Sequence, residues 1–264
     1  MKQPSARPDA WPLYDPRFEH DACGVGFVAN VAGVASHAIL QYALTSVVNL
    51  THRGAVDADA ASGDGAGVLT QIPRALFARE LARLGIRLTE LDRLAVGMVF
   101  LPRDPAGQAR GRQLIQEAVA RQGLDFLGWR AVPVHPEVLG TKAQSTQPQI
   151  EQALIAQSGA LGPDDFERVL YLVRKDVEAR AAAEGLDSLY LPSLSHRTIV
   201  YKGLFVAPQL AGFYADLRDP AYETALAIFH QRYSTNTLPN WLLAQPFRML
   251  AHNGEINTLK GNRN

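Results

Sequence analysis

Apolar positions along the chain follow two rhythms. Val25, Phe27, Val28 and Ala29 form a compact, β-branched and aromatic run that predicts a strand over residues 23–32. From 37 to 50 the apolar residues Ile39, Leu40, Ala43, Leu44, Val47, Val48 and Leu50 recur at helical spacing, and Ser36 stands where an N-cap belongs. Short apolar runs predict further strands at 68–72, 94–101, 126–134, 198–201, 226–229 and 247–251. Helical spacing predicts helices at 74–84, begun by Pro73, and at 108–122, 148–157, 177–184 and 208–217. Residues 166–173 can be read either way, because Val169, Leu170, Leu172 and Val173 form a run without a clear period. Strands and helices alternate, with strand-rich runs, and neither an internal repeat nor a linker interrupts them. One layered α/β domain is the expected plan.

Upstream of the first strand the pattern fails. Pro4, Pro8, Pro12 and Pro16 break any regular element, and polar residues fill most of the gaps, so residues 1–22 read as a leader. It lacks the apolar middle of a secretory signal, and no apolar stretch is long enough to span a bilayer. The 264 residues carry 26 basic and 26 acidic side chains, a formal net charge of zero, with no block of like charge. That balance favours neither nucleic acid nor an anionic membrane as partner. The single cysteine excludes an internal disulfide framework and a multi-cysteine metal site, and the seven histidines include no His-x-x-x-His pair. A cytoplasmic protein is the default expectation.

The cysteine is Cys23, at the head of the first strand. If cleavage removed residues 1–22, one residue would own a thiol and a free α-amine, and an amine of pKa near ~8 can accept the thiol proton. The bland reading is a small buried hydrophobe. Gly24-Val25-Gly26-Phe27-Val28-Ala29 also fits a dinucleotide pattern, but no strand precedes it and no helix starts within it. Farther on, Asp57 to Gly67 is a run of small and acidic residues that suits either a close backbone approach or a flexible connector. Two later strands each end in a histidine followed by groups suited to anions. In His230-Gln231-Arg232 the guanidinium offers a planar fork for a carboxylate, with Thr235 as a nearby hydroxyl donor. In His252-Asn253-Gly254 the Asn253 amide and the Gly254 N–H can converge on one oxygen. Taken singly, these strings are also an ordinary strand end and a hairpin turn.

Together the strings are specific. Cys23-Gly24-Val25-Gly26, His52-Arg53-Gly54, Gly63-Asp64-Gly65-Ala66-Gly67, His230 to Thr235 and His252 to Asn262 occur in the order seen in class II glutamine amidotransferases. The glycine-rich loop and the last string resemble the glutamate synthase large-chain family in particular. That resemblance implies an α+β fold, the four-layer αββα sandwich of N-terminal nucleophile hydrolases, with a leader 1–22 and an amidotransferase domain over 23–264. Carried over, Cys23 is the nucleophile, Asn253 and Gly254 form the oxyanion hole, and Arg232 binds the α-carboxylate of glutamine with Thr235 beside it. Arg53 and Gly54 match a motif that sits next to the nucleophile.

The family also uses an aspartate downstream of the Asn-Gly pair to hold the substrate amine. The sequence stops at Asn264, before such a position, so the domain is expected to be incomplete at its C-terminus. The implied substrate is L-glutamine, and the implied partners are downstream synthase domains and a small electron-donating subunit. No cofactor is expected in this chain; FMN and an iron–sulfur cluster are implied for the complete enzyme. Two alternatives stay open at this point: ammonia delivery to another acceptor, and a non-catalytic fragment.

Overall fold

A computed structural model describes residues 24–54, 59, 61–157, 159, 161–231 and 239–248; the side chain of Arg53 is outside that description. Among the described residues, two antiparallel four-stranded sheets organise the fold. The first contains β1 (Gly24–Ala29), β2 (Ala66–Gln71), β7 (Thr198–Gly203) and β8 (Leu226–Gln231), in the order β1-β8-β2-β7. The second contains β3 (Leu94–Leu101), β4 (Asp125–Ala131), β5 (Gln149–Ala156) and β6 (Tyr190–Ser195), in the order β4-β5-β3-β6. Six helices, α1 (His37–Asn49), α2 (Arg74–Arg83), α3 (Pro105–Arg121), α4 (Thr141–Ser145), α5 (Pro163–Ala183) and α6 (Gln209–Phe213), occur among the described residues.

Alternation along the strands makes two cores. Val96, Met98, Phe100, Ile150 and Leu154 of the second sheet join Val68, Ile199, Tyr201, Ala227 and Phe229 of the first in one cluster. The other face of the second sheet, through Ala95, Val99, Ala153 and Ile155, is covered by α3 and α5. Helix α1 lies against β1 and β8 and adds Leu40, Ala43, Leu44 and Val47 to the larger cluster. The result is an α+β sandwich of antiparallel sheets, in place of the alternating α/β plan that the order of elements suggested.

Most elements fall where the pattern puts them, and the departures have local causes. β1 stops at Ala29 because the Asn30 side chain accepts hydrogen bonds from the N–H groups of Ala32 and Val34 and turns the chain. α3 starts at Pro105, ahead of the expected 108, because the Asp104 carboxylate caps it by accepting from Gly107 N–H at 2.6 Å. Residues 166–173 belong to α5, where Phe166, Leu170, Val173, Val177 and Ala181 form one buried stripe. The expected helix over 148–157 is instead β5, paired on both sides and buried on both faces, so that it shows no clean alternation in sequence. β6 was not expected, because Pro192 interrupts it; it is an edge strand, and the missing donor sits at the irregularity in its pairing with β3. Of the expected helix over 208–217, α6 forms, followed by a 3-10 turn at Ala215–Arg218. Phe247 and Arg248 are outside any strand, and the rest of that expected strand lies outside the described residues.

Between the sheets Arg130 is only 2% exposed. It donates to Glu80, to Gln152 and twice to Asp216, each at 2.8 Å. Tyr201 donates to Asp216 at 2.8 Å and accepts from Gln152 at 3.0 Å. Burial opposes the Arg130 charge, but Asp216 and Glu80 more than offset that and hold the guanidinium above its ordinary pKa.

Candidate active site

β8 is the strand on which the site is built, because it carries the His-Gln-Arg string and has neighbours on both sides. Gln231, its last residue, is the register partner of Gly24 in β1 and of Ala66 in β2. Ala66 in turn faces Gly203 in β7, so a row of small residues crosses the sheet with one buried amide in it. Period-two alternation puts Gln231 on the face of Ala227 and Phe229, turned into the protein. Two residues back, Gly26 lies under the Phe229 ring, where a Cβ would come within 2.5 Å of a ring carbon. The glycines of the first strand therefore serve packing, and the dinucleotide pattern has no structural counterpart.

The His-Arg-Gly string closes over this row. α1 runs into a 3-10 turn, Thr51–Arg53, closed by Gly54 N–H donating to the Thr51 carbonyl at 3.0 Å. A Cβ on Gly54 would lie 2.1 Å from Nε2 of Gln231 and 3.4 Å from Oδ1 of Asp64. A methyl there would have to displace the Gln231 amide. Asp64 is 4% exposed, and the loop around it, Ser62 to Gly67, is buried throughout, not a flexible connector. Asp59 starts the loop by accepting from Ala61 N–H, Ser62 N–H and the Ser62 hydroxyl, which hold its carboxyl well below the usual range. Ser62 Oγ then accepts from Ala143 N–H of α4 at 3.1 Å.

The stretch 239–248, which joins the two anion-binding strings in sequence, is anchored on the same sheet. Trp241 is buried, donates to the Ala143 carbonyl at 3.1 Å and packs edge-on to Phe205. Lys202, fully buried in β7, donates to the Leu242 carbonyl at 2.8 Å and to the Tyr190 hydroxyl at 3.2 Å. Burial, reinforced by Arg248, pushes the Lys202 ammonium well below its ordinary pKa. Arg248 donates to the Leu191 carbonyl.

Of the residues expected at the site, Gly54 is described in full and Arg53 in its backbone; Cys23, Arg232, Thr235, Asn253 and Gly254 lie outside the described residues, as does the leader. What the structure brings together is the framework around them: the residue after Cys23, the one before Arg232, the glycine after Arg53 and the Gly-Asp-Gly loop. Sequence reasoning assigned no role to Gln231, Lys202 or Trp241. The signal for Gln231 was a polar residue continuing the buried alternation of Ala227 and Phe229. Among the described residues there is no group of three or more potential metal ligands, and no helix is long and apolar enough to cross a membrane.

The same strings lie within a similarity that extends well beyond them. Residues 23–264 match the family profile of glutamine amidotransferases class-II. Similar proteins include the glutamate synthase [NADPH] large chain of Azospirillum brasilense, 45% identical over 95% of this chain and 17% of that protein. The ferredoxin-dependent glutamate synthase 2 of a Synechocystis species is 46% identical over 93% of this chain and 16% of its own length. The glutamate synthase [NADPH] large chain of Bacillus subtilis is 45% identical over 97% of this chain and 17% of that protein. This chain thus spans about a sixth of the length of these relatives. With Gly24, Gly54, Asp64 and Gln231 meeting at one end of the first sheet and the match covering residues 23–264, the chain belongs to the class-II glutamine amidotransferases, a family of enzymes.

Proposed function

We propose that this chain is the glutamine-hydrolysing part of a glutamate synthase, releasing ammonia from L-glutamine for transfer to 2-oxoglutarate. The observation that carries the reading is the meeting of Gly24, Gly54, Asp64 and Gln231, which draws four separated strings to one place. After cleavage between Ala22 and Cys23, the α-amine of Cys23 accepts the thiol proton and the thiolate attacks the side-chain amide carbon of glutamine. Asn253 and Gly254 stabilise the oxyanion, and Arg232, with Thr235, pairs with the substrate α-carboxylate. Arg53 and Gly54 frame the new amino terminus. Collapse, with the α-ammonium of Cys23 passing its proton to the departing nitrogen, expels ammonia and leaves a γ-glutamyl thioester, which water hydrolyses to glutamate and the free Cys23 thiol.

Residues 1–22 are the leader and 23–264 the amidotransferase domain, in a cytoplasmic protein whose further domains consume the ammonia. FMN, the iron–sulfur cluster and a small electron-donating subunit belong to those further parts. Relatives named for NADPH and for ferredoxin match this chain equally well, at 45–46% identity.

The test is the intact mass of the protein before and after exposure to an electrophilic glutamine analogue, with Cys23→Ala as control. The expected result is loss of 22 residues and one adduct, absent from the Cys23→Ala protein. Asn253→Ala should lower turnover by about 10²–10³-fold, the usual effect of removing one oxyanion donor. An unprocessed, unlabelled full-length protein would overturn the nucleophile assignment.

A further inference from the structure

Stretch 239–248 lies in a seat floored by glycines. A Cβ on Gly65 would come within 3.1 Å of the Ala244 Cβ, and one on Gly67 within 2.7 Å of the Gln245 carbonyl oxygen. In β7 a Cβ on Gly203 would come within 2.4 Å of the Trp241 ring. The glycine-rich string therefore does more than shape its own loop. Two of its glycines let a second segment, distant in sequence, lie directly on the backbone around the start of β2.

Lys202 closes this seat from β7. It is the register partner of Gly67 and is fully buried. Its Nζ donates to the Leu242 carbonyl at 2.8 Å and to the Tyr190 hydroxyl at 3.2 Å. The same nitrogen lies 4.7 Å from the centre of the Tyr190 ring and 4.9 Å from that of Phe247. Among the described residues a carbonyl, a phenol and two ring faces surround this cation, and no carboxylate pairs with it. Rings and carbonyl offset part of the cost of burying the charge, but an apolar side chain of the same length would not incur that cost at all. Leu242 and Phe247 are five residues apart, so one side chain grips the stretch at two places.

We propose that Lys202 is a positioning residue, a latch that holds stretch 239–248 in its glycine seat through Leu242 and Phe247. In sequence the stretch separates Thr235 from Asn253, so the latch fixes the course of the chain from which both anion-binding strings depart. Its effect on turnover rests on the glutaminase reading; its grip on the stretch does not. Lys202 acts through the stretch and is not a catalytic residue.

The experiment is hydrogen exchange of peptides covering 239–248, read beside glutaminase activity, in the full-length protein, Lys202→Met, Phe247→Leu and the double variant. In Lys202→Met, exchange within 239–248 should quicken by about 10–100-fold, the loss of a hydrogen bond from a charged group, while peptides of β3 and β5 exchange as before. Turnover should fall with it, kcat/KM by about tenfold or more, as positioning is lost. Phe247→Leu should quicken the same peptides by less, and the double variant should be no faster than Lys202→Met, because both substitutions act on one contact.

A lysine that only fills space would leave exchange and turnover unchanged in Lys202→Met, and that result overturns the latch. So does additive acceleration in the double variant, or acceleration spread equally over β3 and β5. If Lys202→Met does not unfold cooperatively, Phe247→Leu decides: local acceleration supports the latch and unchanged exchange overturns it. Quickened exchange at unchanged kcat/KM overturns the positioning role. Activity missing from the unsubstituted protein sinks the glutaminase reading instead, and the latch is then judged by exchange alone.

Discussion

Arg130 and Gln231 are both polar, both buried, and both on strands facing the interior, yet their surroundings differ completely. Arg130 makes four hydrogen bonds at 2.8 Å, to Glu80, Gln152 and Asp216, and Tyr201 links two of the acceptors, Gln152 and Asp216. Gln231 has glycine and alanine beside it and, among the described residues, no hydrogen-bond partner for its side chain. A buried polar cluster with its bonds made holds two sheets in one relation. A buried polar group without them is retained at a cost, and it stands at the end of the sheet where Gly24, Gly54 and Asp64 come together. The two clusters are thus expected to answer substitution in opposite ways.

The largest effect should come from Arg130→Met. It leaves Asp216 and Glu80 in the interior without their counter-charge, and breaking a buried pair from one side costs about 3–5 kcal/mol. Denaturant unfolding would show it as a lower midpoint at unchanged slope. A loss under about 1 kcal/mol would mean that water reaches the cluster and that the contrast with Gln231 is false.

Next comes Gly54→Ala, which would force a methyl to within 2.1 Å of Nε2 of Gln231. Overpacking of this kind costs about 1–3 kcal/mol. The double variant Gly54→Ala with Gln231→Ala should recover most of it, because the two residues share one space. Additive losses would show that the methyl meets something other than the amide.

A smaller effect is the acid sensitivity contributed by Glu80. Burial would raise its pKa, but Arg130 and Arg83 outweigh burial and hold it below the ordinary value. A depressed carboxylate stabilises the fold above its unfolded pKa of about 4.3, and that contribution fades as pH falls through the folded value. Unfolding midpoints of the unsubstituted protein and Glu80→Gln should therefore converge as pH is lowered below about 4. A constant difference across that range would separate Glu80 from the Arg130 charge.

These contrasts also mark what the sequence could reveal. The strings around Cys23, Arg53, Arg232 and Asn253 were legible because each pairs a chemically apt side chain with a glycine or a strand end. β5 was misread because a strand buried on both faces has no alternation to show, and β6 was missed because Pro192 is tolerated only at a sheet edge, which periodicity cannot identify. Gln231 stayed without a role for a related reason. Its significance depends on Gly24 and Ala66 flanking it, and on Gly54 closing over it from a turn far away in the chain. Pairings between distant strands are not written in local pattern.

The smallest expected change in stability is also the most telling. Gln231→Met keeps side-chain length and removes two buried polar atoms that have no partner among the described residues, so the unfolding free energy should stay within about 1 kcal/mol of the original or rise. Activity should fall in the same protein. Stability gained where activity is lost is the pattern of a residue kept for function. If Gln231→Met instead loses several kcal/mol, as Arg130→Met is expected to, the amide has a partner in the folded protein that matters for folding. Gln231 would then belong with Arg130, and the contrast between the two residues would fail.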